Sequence, residues 1–339
     1  MTVTYEAKSY SKGRTTVMGL ATLLIIWFHS CITTKEGSLI WLQKYTSDIG
    51  VDMFLFASGV GVFFALKKYD RYFPYLFGRL QRVFIPFLLV AIPWFAYHDI
   101  MIGHSRRLFV KDVTMLTFWL EGRMTFWYVS AILLLYILTP AYVKLWKKYR
   151  CLNILCIAAI YGSMLLFPIE GLRMAIGPAM IFFPRIPIYL IGLSFGKAIQ
   201  EERVFRVNVL VVLTVWAVCG VISAAAMGYC AWEVPTEFKY IAYGPLAVIL
   251  SCACARIPAN KLTDFFGKRS LEIYLLMEKV QVTLGERVEL VPLMCCSALP
   301  FFMLSFVVTL ILAELLRCMA YPFQRPIRWK RLDNPPCGK

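Results

Sequence analysis

The chain has 339 residues, 36 Lys and Arg against 20 Asp and Glu, and 60% hydrophobic residues with only 17% charged. Soluble domains average about 45–50% apolar and about 25% charged, so this composition, with a mean hydropathy of +0.66, belongs to an integral membrane protein. It excludes a disordered chain, a collagen-like repeat and a small disulfide-stapled domain.

In chain order, runs of roughly 20 mostly apolar residues, the length that crosses a bilayer as a helix, predict spans at 16–33, 49–66, 83–98, 125–143, 151–168, 178–196, 207–227, 239–255, 270–285 and 292–316. The first run is kept as a helix, because Cys31-Ile32-Thr33-Thr34 lacks the small-residue pattern of a signal cleavage site. The expected fold is all-α: a polytopic membrane helical bundle of about ten transmembrane helices. A cytoplasmic N-terminal segment at 1–15 precedes one membrane domain at 16–316, and a basic cytoplasmic tail follows at 317–339.

With the amino terminus in the cytoplasm, 25 Lys and Arg fall on the inner side and 9 on the outer. That asymmetry follows the positive-inside rule and predicts a multi-pass protein of the cell membrane with both termini cytoplasmic. The net charge of +16 is thereby read as topology, with no nucleic acid as partner. No metal site is expected, since the 11 Cys mostly lie in apolar runs and His29, His98 and His104 are far from the Cys pairs in sequence.

Ionisable side chains inside spans are costly and mark function by default. Those found are His29, Asp52, Arg185, Glu272, Glu278, Lys279 and Glu314. Glu278 and Lys279 read as groups that pair with neighbours and serve packing, and Glu272 and Glu314 lie near predicted cytoplasmic helix ends. His29 and Asp52 fall roughly 5–6 Å inside the same outer interface at 1.5 Å rise per residue. A short loop at 34–48 joins their helices, so the two are expected to meet, with Asp52 holding the imidazole in one tautomer and stabilising its charged form. With no metal framework and no recognisable Ser or Cys nucleophile, His29 is the best base for activating a hydroxyl.

Several segments resemble those of the acyltransferase 3 family. They are Trp27-Phe28-His29, then Ile49-Gly50-Val51-Asp52-Met53-Phe54-Leu55-Phe56-Ala57-Ser58-Gly59, then Arg79-Leu80-Gln81-Arg82 before a Pro. Phe126-Trp127-Tyr128-Val129, Phe183-Pro184-Arg185-Ile186-Pro187 and Phe266-Gly267-Lys268-Arg269-Ser270-Leu271-Glu272-Ile273-Tyr274 follow in the same order. The likeness covers roughly residues 12–320. Gly78 stands where the family's basic segment usually begins with Arg, and Met277 where a His often follows.

The resemblance implies transfer of an acyl group, commonly acetyl, from cytosolic acyl-CoA as co-substrate to a hydroxyl of a cell-surface glycan or glycan precursor. His29 and Asp52 would be catalytic. Arg79, Arg82, Lys67 and Lys68 would hold the phosphates of coenzyme A, for which Arg is well shaped, and the pantetheine arm would thread a channel to His29. Arg185 and Trp127 would bind the acceptor or polarise the carbonyl. Trp27, Trp41, Trp119 and Trp232 read as an aromatic belt at the outer face. Direct transfer and an acyl-histidine intermediate both fit, and the oligomeric state is left open. The rival reading is a proton-coupled transporter or flippase of a glycan or related small molecule, with His29 and Asp52 as its proton relay.

Overall fold

The computed structural model describes residues 2–33, 49–69, 71–226, 235, 237–286 and 298–324. The loop 34–48, Trp41, Trp232 and the tail residues 325–339 lie outside the described residues.

The helices are α1 (Ala7–Thr33), α2 (Ile49–Lys68), α3 (Tyr72–Phe95), α4 (Arg106–Val113), α5 (Leu116–Glu121), α6 (Trp127–Lys148) and α7 (Leu152–Leu166). After them come α8 (Ile169–Ile176), α9 (Ile186–Gln200), α10 (Val209–Ala226), α11 (Phe238–Cys254), α12 (Lys261–Lys268), α13 (Ser270–Glu286) and α14 (Ala298–Ala320). Each of the ten apolar runs thus carries helix. Among the described residues five helices are long and apolar enough to cross a membrane: α2, α3 with its extension to Ile102, α6, α10 and α14. A sixth candidate is the pair Ile169–Ile181 and Phe183–Gln200, bent by 65°, while α7 and α11 are shorter apolar helices. The expected count of about ten spans therefore stands at five or six by helix length and composition.

The first helix begins at Ala7, so most of the segment expected to precede it is helical. Ahead of it, β1 (Thr2–Glu6) pairs antiparallel with β2 (Val204–Asn208). That ribbon ties the amino terminus to the same end of the bundle as Lys67, Lys147 and Lys197, here called the basic end. The opposite, far end holds Asp99, Phe126, Arg185 and Glu237.

Two sets of close helix contacts fix the register of the core. A Cβ on Gly59 would collide with the carbonyl oxygen of Tyr189, and one on Gly192 with that of Phe56; Gly196 is filled by Phe63. Small residues let backbones approach where lipid gives no hydrophobic drive to pack. The contacts advance together along both chains, so α2 and α9 run parallel and Asp52 falls level with Arg185.

On the other side of α2, a Cβ on Gly50 would lie 2.8 Å from the carbonyl oxygen of Ala21 and close to Leu24 and Ile25. This antiparallel register sets Asp52 opposite about residue 21, roughly 12 Å along α1 from His29 at 1.5 Å per residue.

The bent pair breaks at Phe182, flanked by Gly177, whose φ is +49, and Pro178 on one side and by Pro184 and Pro187 on the other. Prolines remove backbone donors and kink helices. Arg185 sits at this break, in a short 3-10 turn (Phe183–Arg185) that leads into α9.

Candidate active site

The far half of the bundle holds two cations over aromatic rings, and one turn of chain positions both. Phe126 and Trp127 are adjacent where α6 begins, and Phe126 has φ 57, a left-handed conformation uncommon for a bulky side chain. On one side the Lys279 ammonium lies 4.7 Å from the Phe126 ring centroid and 5.4 Å from that of Trp94. On the other the Arg185 guanidinium lies 5.1 Å from Trp127 and 4.3 Å from Tyr240. Cations over ring faces are attracted by the ring quadrupole, more strongly when desolvated.

Arg185 is 1% exposed and Asp52 is fully buried, and Nε stands 3.2 Å from Oδ1. A buried charge is tolerated when paired, and the parallel packing of α2 on α9 brings this pair together. The expected meeting of Asp52 with His29 gives way to this contact with Arg185. The reason is register: the Gly50 contact draws α2 down α1, so the two groups do not share a depth.

His29 faces α13 instead. Glu278 and Lys279 are the charged groups acting on it, and Gln281 donates to the His29 carbonyl oxygen at 3.4 Å. Lys279 donates to Glu278 at 2.7 Å. The imidazole Nδ1 is buried with no hydrogen-bond partner among the described residues.

At the basic end a cavity of about 140 Å³ opens between α1, α2, α3, α6 and α13. Arg14, Arg79 and Arg82 line it, with Ser58 and Tyr136 beyond them and Phe54, Tyr128 and Tyr274 further in. Arg79 donates to the Gly61 carbonyl oxygen at 2.5 Å and lies over the Tyr136 ring. No carboxylate lies within ion-pair distance of the three arginines among the described residues, and Arg14 Nε is buried without a hydrogen-bond partner. Tyr128 and Tyr274 meet edge to face, with centroids 5.4 Å apart. Tyr274 is one turn of α13 below Glu278, and so below the imidazole.

Arg79 and Arg82 are thus brought together, whereas Lys67 and Lys68 are not with them. Lys67 lines a separate groove and Lys68 lies over Tyr69. Trp127 and Arg185 are in contact as a pair. Trp27 is 41% exposed, and Trp119 packs on Phe182. Gly78 faces the Tyr69 hydroxyl, which a Cβ would approach to 3.3 Å. Met277 is fully buried beside Ile26 and Ile273.

Sequence reasoning missed Arg14, Tyr240 and the strained turn at Phe126. Arg14 was legible as the one Arg before the first apolar run, but it reads there as topology charge. Tyr240 carries no motif of its own.

An acyltransferase domain family model matches residues 18–318. No curated protein and no solved structure matches the chain. A match over nearly the whole bundle, on a chain whose long apolar helices suit a bilayer, shows that the chain belongs to the acyltransferase 3 family and is a membrane acyltransferase.

Proposed function

We propose that the protein is an acyl-CoA-dependent O-acyltransferase, in the simplest case an O-acetyltransferase, acting on a hydroxyl of a cell-surface glycan or glycan precursor. It works in the cell membrane with both termini cytoplasmic. The observation that carries this reading is the trio Arg14, Arg79 and Arg82, with no carboxylate partner among the described residues, at the mouth of a cavity that runs into the bundle. Three like charges crowded together repel, and a pyrophosphate with a 3′-phosphate supplies the missing anions through charge-assisted hydrogen bonds.

The pantetheine arm then follows Ser58 and Tyr136 toward the Tyr128–Tyr274 pair. From Met18, which lines the cavity, to His29 the distance along α1 is roughly 16 Å at 1.5 Å per residue. Rotation of the two tyrosines opens the remaining path.

At the inner end of that path His29 takes the proton of the acceptor hydroxyl as its oxygen attacks the thioester carbonyl. The C–O bond forms, the C–S bond breaks, and coenzyme A leaves as the thiolate. The Nδ1, which has no hydrogen-bond partner among the described residues, suits either this role or the attack that forms an acyl-histidine. Asp52 acts at one remove, offsetting the charge of Arg185 and fixing its guanidinium between Trp127 and Tyr240. The acceptor approaches through a far-end cavity of about 410 Å³ whose lining includes Arg173, Lys239 and Tyr240; Tyr240 also contacts Arg185.

The test is acyl transfer from labelled acetyl-CoA to surface polysaccharide. His29→Ala and His29→Gln should each lower the rate roughly 10²–10⁴-fold, the usual worth of a positioned base, with the protein still folded in the membrane. Activity within a few-fold of the parent in both variants would remove His29 as the base.

A further inference from the structure

A second basic recess lies at the same end of the bundle, on the opposite face of α2 from the arginine cavity. Gly61 faces Arg14 and Arg79, while Phe63, two residues on, packs against Gly196 of α9. Beside Phe63 the C-terminal ends of α2, α6 and α9 converge on a groove of about 650 Å³. Its floor is Phe63, Val143 and Trp146, and its rim carries Lys67, Lys147, Arg150, Lys197 and Arg203.

The charge is not balanced there. Glu201 is the single carboxylate of the lining, and it is occupied by Arg203 at 2.6 Å and Lys197 at 3.8 Å. No carboxylate lies within ion-pair distance of Lys67, Lys147 or Arg150 among the described residues. Elsewhere at this end cations do find acids, as in Lys8 with Glu202 and Arg269 with Glu314. The positive-inside tendency explains how many cations face this side. It does not explain three that no described carboxylate pairs, from two helices and a turn, converging on one aromatic-floored recess.

We propose that this groove is a binding site for the headgroup of an anionic phospholipid, with its phosphates between Lys67, Lys147 and Arg150. Charge complementarity selects an anion. The level selects a lipid, because the recess lies where three apolar helices end and one residue from Phe63 and Trp146 the side chains of Phe64 and Leu145 remain exposed for acyl chains. Basic pockets between spans at this depth suit headgroups that carry two phosphates. The site is independent of the acyl-transfer chemistry and stands or falls without it.

The full-length protein is purified in phosphatidylcholine nanodiscs, and retention of added cardiolipin is measured by native mass spectrometry. The comparison is between the parent and the triple variant Lys67→Gln/Lys147→Gln/Arg150→Gln. Loss of three surface charges should weaken retention on the order of 100-fold, with the thermal unfolding midpoint unchanged. A control triple variant, Lys144→Gln/Lys148→Gln/Lys261→Gln, should retain cardiolipin as the parent does. Equal retention by the parent and the first variant, or equal loss in the control, overturns the site. Inorganic pyrophosphate forms the soluble arm: its retention with the same residue dependence, in place of cardiolipin, overturns the lipid assignment.

Discussion

Arginines in two regions of this bundle are treated oppositely. In the core the chain itself gives Arg185 a counterion, the Asp52 carboxylate at 3.2 Å, and the ring faces of Trp127 and Tyr240. At the basic end Arg14, Arg79 and Arg82 share a cavity with no carboxylate in reach among the described residues. A cation with a built-in counterion is complete and serves position, whereas cations held together without one are complete only when an anion arrives. A third arrangement extends the series past balance. Arg123 donates to both Asp99, at 3.2 Å, and Asp112, so two buried carboxylates share one guanidinium.

The sharpest way to break the comparison is to unbalance the complete pair. Arg185→Met alone leaves Asp52 buried without this cation, and removal of one partner of a buried pair costs about 3–5 kcal/mol. The double variant Arg185→Met/Asp52→Leu removes both charges and should recover most of that loss in thermal unfolding. If the single and double variants unfold alike, the pair is not the charge-compensated unit described.

A smaller effect is expected from the over-supplied arginine. Burial, with Asp99 as neighbour, pushes the Asp112 carboxyl from 3.8 up to about 6, against the opposing pull of Thr117 and Arg123. The folded chain then holds that proton more tightly than the unfolded one. This contribution to stability is full below the ordinary carboxylate value and is lost as pH rises through about 6. Unfolding midpoints from pH 4 to 7 should show this decline in the parent and a flatter profile in Asp112→Asn. An unchanged slope in the variant would assign the pH dependence to another group.

Much of this was legible in the sequence. The ten apolar runs mark helices because 20-residue apolar stretches have no other stable form in lipid, and the Arg79–Arg82 spacing does place both side chains on one cavity. The contact of Trp127 with Arg185 follows from motifs some 58 positions apart that only packing can join. What escaped is register. Equal depth for His29 and Asp52 assumed that both helices begin at one interface, but Gly50 seated against Ala21 slides α2 along α1. The parallel pairing of α2 with α9, which hands Asp52 to Arg185, depends on Gly59, Gly192 and Gly196 across well over a hundred residues. Lys67 follows from the same geometry, since two residues of helix separate the face of Gly61 from that of Phe63.

The central claim, that the unbalanced arginines form the donor's phosphate site, is tested most directly by binding. Calorimetry in detergent would compare coenzyme A with pantetheine, which lacks the phosphates, on the parent and on Arg14→Ala/Arg82→Ala. Loss of two charge-assisted contacts should weaken coenzyme A by at least about 10-fold and leave pantetheine unchanged. Coenzyme A binding equally well to parent and variant would contradict the account.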